Sequence, residues 1–346
     1  MQFSRRVAWL PASADACGFY RMTLPHLRYP SSGYFPSDPK TPFNLRQLQG
    51  YQVAMVQRLM HENNRMAMEQ IRGLGLRIVY DLDDNFWSLP KWNPAYRYFQ
   101  KNGAFQKGLA LCAGLAHQIT VSTSFLHAVV MRQLQPKIPV TVMENAMDFA
   151  LFYRATQFRK DQERVTIGWA GTNTHGLDLT EIEFVLARLL RERPQVEIEF
   201  MAIELPPELV KANKTYAKDR VRLRPFVSIA EYPAWYSNLR WDIGLAPLAL
   251  TEFNRCKSNI RMLEAAVLKI PCLASPLNEY EKFCQGNSQL EFLLCHSRDE
   301  WFEKLCALVD SSDLRLELGE AMYKRAYEGF NIEAQLPKWN EIFENV

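Results

Sequence analysis

The stretch KSNIRMLEAAVLKIPCLAS, residues 257–275, holds two patterns in succession. At 3.6 residues per turn Lys257, Arg261 and Glu264 fall close to one stripe, while Ile260, Leu263 and Val267 form another. Ser258 stands ahead of them as an N-cap candidate. The spacing predicts a helix over 258–268 that packs one face and keeps the other polar, running straight into a short strand over Pro271–Ala274. Helix and strand in close succession are the repeating step of a parallel sheet with crossover helices.

Working outward, the same alternation recurs along most of the chain. Short apolar runs predict strands at Val7–Leu10, Gln52–Val56, Leu76–Leu82, Gln118–Ser122 and Val140–Met143. The pattern then restarts with Val165–Ala170, residues 196–202, Val221–Leu223, Trp241–Ala246 and the strand above, with helices around 179–192, 229–239 and 258–268. Two α/β sheets fit this better than one. The charged stretch YRATQFRKDQER, 153–164, reads as a linker between the halves, and after 298 only helices are expected. No short internal repeat or low-complexity segment interrupts the pattern.

With 346 residues, 48% of them hydrophobic, the chain can bury a large core. Its 41 basic and 38 acidic residues leave +3, far from the charge of a dedicated nucleic-acid domain. Seven cysteines without CxxC spacing argue against a disulfide framework or a structural zinc site and for a reducing compartment. No run of about 18 apolar residues occurs, so the expectation is a cytoplasmic protein without a transmembrane segment; its oligomeric state is not legible.

Four segments carry candidate chemistry. Free N–H groups at the start of the 258–268 helix, joined by Lys257 and Arg261, suit an anion such as a diphosphate, and Glu264 further in suits ribose hydroxyls. The alternative for Arg261 and Glu264 is an ordinary i, i+3 surface pair. GWAGTNTH follows the first strand of the second half. Gly171 would let backbone approach phosphate, Thr172 and Thr174 would donate to it, and His175 would reach the diphosphate or the sugar; otherwise these residues simply fill a strand-to-helix turn. In YDLDDNFW, Asp81, Asp83 and Asp84 end an apolar strand where ligands bind in open α/β sheets. Asp81-Leu82-Asp83 reads as a DxD that would hold Mg²⁺; alternatively Asp83 or Asp84 orients or deprotonates an acceptor hydroxyl, or the aspartates cap a helix and bind arginines. NFWSLPKWNPAYRYFQKNGAFQK, 85–107, interleaves seven aromatics with basic residues. Trp87, Trp92 and Tyr96 would stack an acceptor sugar, or the segment would grip a DNA strand with a flipped base, or it is a lid with partly buried rings.

In their order, ACGFYRMTLP (16–25), IVYDLDDNFWSLP (78–90), ITVSTSFL (119–126), VMENAMD (142–148), IGWAGTNTHGLDL (167–179), WDIGLAPL (241–248) and the 257–275 stretch resemble the GT-B glycosyltransferases of the large, mostly retaining group 1 family. The resemblance implies two Rossmann-like domains facing a cleft: 1–155 on the acceptor side and 164–325 binding a UDP- or GDP-sugar. A last helix, 326–346, would pack back on the first domain. It implies a hexosyltransferase with no tightly bound cofactor and no required Mg²⁺, acting on a saccharide or glycan or, alternatively, on hydroxymethylated DNA. Residue by residue, it assigns ribose binding to Glu264, the diphosphate neighbourhood to Lys257 and Ser258, the donor-facing loop to Gly18, and a place beside the nucleobase to Phe226. Arg21 becomes a phosphate clamp or a salt-bridged structural arginine. The family's usual glutamate eight positions before Glu264 is Cys256 here, which leaves the sugar and the retaining chemistry open. That departure also keeps a non-catalytic sugar- or nucleotide-binding module in view, beside an epimerase or a phosphorylase of the same architecture.

Overall fold

Parallel strands buried on both faces need near-continuous apolar runs, and the chain supplies them twice. The computed structural model describes residues 3–36, 44–101, 103–152, 163–172, 175–201 and 204–346. Residues 153–162 of the predicted 153–164 linker, the last residue of the 196–202 strand and Thr174 lie outside the described residues.

In the first half β1 (Val7–Leu10), β2 (Ser32–Tyr34), β3 (Val53–Gln57), β4 (Arg77–Leu82), β5 (Gln118–Val121) and β6 (Val140–Val142) form an all-parallel sheet in the order β2-β1-β3-β4-β5-β6. The second sheet, also parallel, contains β7 (Val165–Ala170), β8 (Val196–Met201), β9 (Val221–Arg224), β10 (Ile243–Ala246) and β11 (Cys272–Ala274) in the order β11-β10-β7-β8-β9. Strand order therefore reverses between β1 and β3 in one sheet and between β7 and β10 in the other. Ligands of open α/β sheets bind beyond the carboxyl ends of strands at such reversals.

The chain divides into two compact units. The first comprises residues up to Asp148 together with Arg255–Ser258 and Phe330–Val346; the second comprises Phe149–Asn254 and Asn259–Gly329. The expected contiguous domain over 164–325 is thus interrupted by four residues that pack with the first unit. The last helix, Ile332–Glu344, is part of the first unit's core. Trp339 and Phe343 lie 5.5 Å from the Trp9 ring of β1, within a cluster that includes Val53, Met55, Val79 and Met143. At about 1.5–3 kcal/mol for each large apolar side chain buried, this contact alone outweighs the helix's weak intrinsic stability.

Three readings need correction. Edge strand β2 escaped the sequence pattern because it is three residues long and only partly buried. The helix expected over 179–192 is two, Gly176–Thr180 and Glu183–Glu192, parted at Ile182, whose φ is −120°. The helix of the opening stretch runs from Ile260 to Val267 with Asn259, not Ser258, as its N-cap.

In the second unit β7 and Trp241 meet at Gly168. A Cβ there would fall 1.8 Å from Trp241 Cδ2, and that ring is fixed by a 3.0 Å bond from Nε1 to Glu199. Gly168→Val is therefore expected to destabilise the protein by roughly 3 kcal/mol or more, read as a lowered calorimetric transition.

Candidate functional site

The first unit gathers polar side chains from the carboxyl ends of five strands. Arg58, the residue after β3, sits at the β1/β3 reversal with φ of +30°, a conformation that costs a non-glycine residue of order 1–3 kcal/mol. Its guanidinium donates to Ser13 Oγ at 2.9 Å and Asp15 at 3.3 Å in the loop after β1, and reaches Asp83 at 3.5 Å beyond β4. Ser122, after β5, donates to the Asp83 carbonyl. Burial pushes the Asp83 carboxyl up, but Arg58 and a hydrogen bond from the Cys17 thiol outweigh it and hold the group below the usual carboxylate range. The thiol itself is pushed well up by burial and by the Asp83 charge.

Asp84 has a different partner. Lys257 Nζ donates to its Oδ1 at 2.6 Å. Burial raises the Asp84 carboxyl, Lys257 opposes, the neighbouring Asp83 charge adds to the rise, and the net direction is upward. For Lys257 the ion pair overcomes desolvation and raises the ammonium above its ordinary value. The backbone around Lys257 is anchored on both sides. Thr123 Oγ1 donates to the Cys256 carbonyl at 3.0 Å while also capping Leu126 N–H, and Asn145 Nδ2 donates to Ser258 Oγ at 2.8 Å. Lys257 thus precedes the helix that carries Arg261 and Glu264 instead of sharing its stripe, and Ser258 bonds Asn145.

Arg21 takes the structural of its two readings. It is 1% exposed; Nε and Nη2 donate to the two Asp81 oxygens at 3.0 and 2.5 Å, and Nη1 to Asn145 and the Met143 carbonyl. Asp81, fully buried, also accepts from Thr120 at 2.7 Å. Asp81 is committed to Arg21 and Asp83 to Arg58, so the DxD does not present two oxygens to one Mg²⁺. Among the described residues no group of three or more His, Cys, Asp or Glu side chains is placed to hold a metal ion. Gly18 is buried behind this loop, its N–H bonded to Asp15 Oδ1 at 3.1 Å. Of the proposed acceptor residues, Trp92 is 45% exposed, while Trp87 and Tyr96 are half-buried.

The second unit builds a separate cluster at the β7/β10 reversal. Arg261 lies over the Trp169 ring, 4.6 Å from its centroid, a contact worth about 0.5–2 kcal/mol. That stacking aims the guanidinium at the loop after β7: a Cβ on Gly171 would stand 2.6 Å from Arg261 Nη2 and 2.3 Å from the Trp169 ring. Only glycine leaves this approach open. Glu264, one turn further along the helix, is buried, and the Tyr232 hydroxyl hydrogen-bonds to it; burial and the Glu264 charge push that hydroxyl well up. Arg261, Glu264, Tyr236 and Trp241 border a small cavity of about 10 Å³, room for a single water.

His175 Nδ1 meets Asp178 Oδ2 at 2.8 Å, and Asp178 Oδ1 accepts from Ala249 N–H at 2.9 Å and Asn254 Nδ2 at 2.7 Å. This buried carboxylate ties the loop after β7 to the segment after β10. Thr172 is exposed in the same loop, and Phe226, two residues past β9, is 69% exposed.

The comparisons bear on this geometry. Residues 181–340 match the family model described as glycosyl transferase-like. HepE of Anabaena superposes with a TM-score of 0.65 at 12% identity, over 99% of this chain and 100% of that one. The sucrose-phosphate synthase of Thermosynechococcus elongatus gives 0.64 at 13%, over 98% of each chain. The chain has the GT-B fold of these glycosyltransferases. TarM of S. aureus gives 0.61 at 14% identity over 84% of this chain, which spans only 54% of TarM's length. HepE has been crystallised with UDP and with UDP-glucose. No curated protein matches this chain in sequence at a significant level.

Sequence reasoning missed Arg58, Cys17, Asn145, Asp178, Tyr232 and Asn254 in these clusters. Arg58 alone carried a signal, as a cation directly after an apolar strand. The others are ordinary residue types that become polar partners only once the sheets bring their loops together. No helix among the described residues is long and apolar enough to cross a membrane.

Proposed function

We propose that this protein is a glycosyltransferase that moves a sugar from a UDP- or GDP-sugar to an acceptor hydroxyl on a saccharide or glycan, with retention and without a metal ion. The observation that carries the donor reading is the cluster at the β7/β10 reversal, where a stacked Arg261 faces the Gly171 loop and a buried carboxylate, Glu264, follows one turn later. A guanidinium beside open backbone suits a diphosphate, and a carboxylate suits the ribose diol. The UDP and UDP-glucose complexes of HepE agree with this choice of ligand class.

Transfer builds negative charge on the departing diphosphate, and Arg261 is the second unit's cation assigned to stabilise it. In the first unit Asp83, kept ionised by Arg58, orients the acceptor hydroxyl, and the rings of Trp87, Trp92 and Tyr96 stack the acceptor sugar. The absence of a carboxylate at Cys256 is consistent with chemistry in which no side chain attacks the sugar. The leaving phosphate then receives the acceptor's proton on the face it departs from.

Thermal unfolding with UDP, GDP, UDP-glucose and GDP-mannose, each with Mg²⁺ and with chelator, tests the proposal. A ligand at 100 times its Kd adds about 2.7 kcal/mol of stability, which raises the midpoint by several degrees. The expected result is a shift from one base series, equal in Mg²⁺ and chelator. No shift from any ligand would overturn the donor reading, and a shift that needs Mg²⁺ would overturn metal independence. Arg261→Ala is expected to lower affinity for the active nucleotide at least tenfold by calorimetry.

A further inference from the structure

Trp169 stands near the end of β7 in the second unit, 1% exposed, with its ring held from several sides. Phe200 of β8 lies 6.3 Å away at 52° and His175 lies 6.4 Å away at 72°. The Gly171 loop runs so close that a Cβ there would stand 2.3 Å from the ring. A side chain packed in this way keeps one orientation. Over the ring lies the Arg261 guanidinium, 4.6 Å from its centroid. Among the described residues Arg261 makes no hydrogen bond or salt bridge, so the stack sets the plane of the guanidinium and turns its N–H edge to the Gly171 loop.

The indole is not there for its N–H. Trp169 Nε1 is buried and meets no acceptor among the described residues. A buried N–H left unpaired is destabilising, and phenylalanine at this position would avoid it. What tryptophan offers instead is the aromatic face that attracts a cation most strongly. Ring and guanidinium belong to neighbouring strands' connections, β7 and the helix after β10, and meet at the reversal where ligands of such sheets bind.

We infer that Trp169 is a positioning residue for recognition of the nucleotide sugar: its ring holds Arg261 flat and already aimed, so that binding the diphosphate does not have to order the guanidinium. This rests on the nucleotide-sugar reading above and adds a residue to that same site. Trp169 acts through Arg261 and not by touching the ligand. Immobilising one long, rotamer-rich side chain on binding weakens affinity by about three- to tenfold, and a guanidinium set in advance avoids that loss.

Titration calorimetry of the full chain with UDP-glucose and GDP-mannose, at a temperature well below every variant's thermal midpoint, tests the inference through a double-mutant cycle. Trp169→Leu is expected to weaken binding of the active nucleotide sugar about three- to tenfold. Trp169→Phe keeps an aromatic face and should stay within about twofold of the wild type. In an Arg261→Ala background Trp169→Leu should cause no further loss, because no guanidinium remains to be held. Thermal shift at millimolar ligand reads that background where binding is too weak to titrate. Trp169→Met fills more of the ring's volume without a π face, and it replaces Trp169→Leu if the leucine variant does not fold. A tryptophan that only packs the core would lower the midpoint and leave affinity unchanged, or lower affinity equally with and without Arg261. Either result overturns the inference while sparing the nucleotide-sugar reading, as does a phenylalanine variant no better than leucine. Failure of the wild type to bind either sugar removes the two together.

Discussion

In a Glu264→Ala variant, affinity for the active nucleotide sugar is expected to fall by about 100-fold or more. A carboxylate that receives two ribose hydroxyls makes two charge-assisted hydrogen bonds, each worth about 1.5–3 kcal/mol, and 1.4 kcal/mol is a factor of ten. Alanine would also strand the Tyr232 hydroxyl inside the second unit, at about 1–3 kcal/mol of stability. Glu264→Gln separates the two effects, since an amide oxygen still accepts from Tyr232 but carries no charge. The glutamine variant should keep its thermal midpoint within a few degrees of the wild type and still lose most donor affinity. Calorimetric titration beside thermal unfolding checks both. Donor affinity unchanged in both variants would remove Glu264 from the site.

The second large effect is on stability. Asp81→Ala leaves the Arg21 guanidinium buried without the carboxylate that takes two of its three nitrogens, a loss of roughly 3–5 kcal/mol. Thr120 loses its acceptor in the same step. The thermal transition should drop by several degrees or more, and the cost comes from desolvating an unmatched charge. Replacing the pair together, Arg21→Met with Asp81→Leu, should therefore recover much of the loss. A double variant no better than Asp81→Ala would mean that Asn145 and the Met143 carbonyl, not the charge balance, hold Arg21 in place. Donor binding should survive in whichever variant folds, because a sealed pair at 1% and 0% exposure presents nothing to a ligand.

The strands were legible because parallel strands buried on both faces must be written as apolar runs. β1 and β7 fall where the pattern puts them, and most others differ by one or two residues at an end. β2 was not legible, since three half-buried residues at an edge leave no such run. The split of the 179–192 segment turns on a backbone angle at Ile182 that apolar spacing does not encode.

The site divides in the same way. Local chemistry marked Asp83, Asp84, Lys257, Arg261 and Glu264 as groups able to handle an anion, a ribose or a hydroxyl. It also joined Lys257 to the helix after it, because a helical stripe looks the same in sequence whether or not the helix extends that far. What each charge is paired with is a long-range property: Asp84 and Lys257 are 173 positions apart, and Arg21 and Asp81 are 60. The sequence by itself determined two parallel α/β sheets and which residue types stand at their carboxyl ends, because backbone pairing and apolar burial act through local periodicity. Only the tertiary structure decided that Arg21 is sealed against Asp81, that Arg58 serves Asp83, and that residues 255–258 pack with the first unit. Burial and Coulomb energies depend on distance in space, and the fold alone sets those distances.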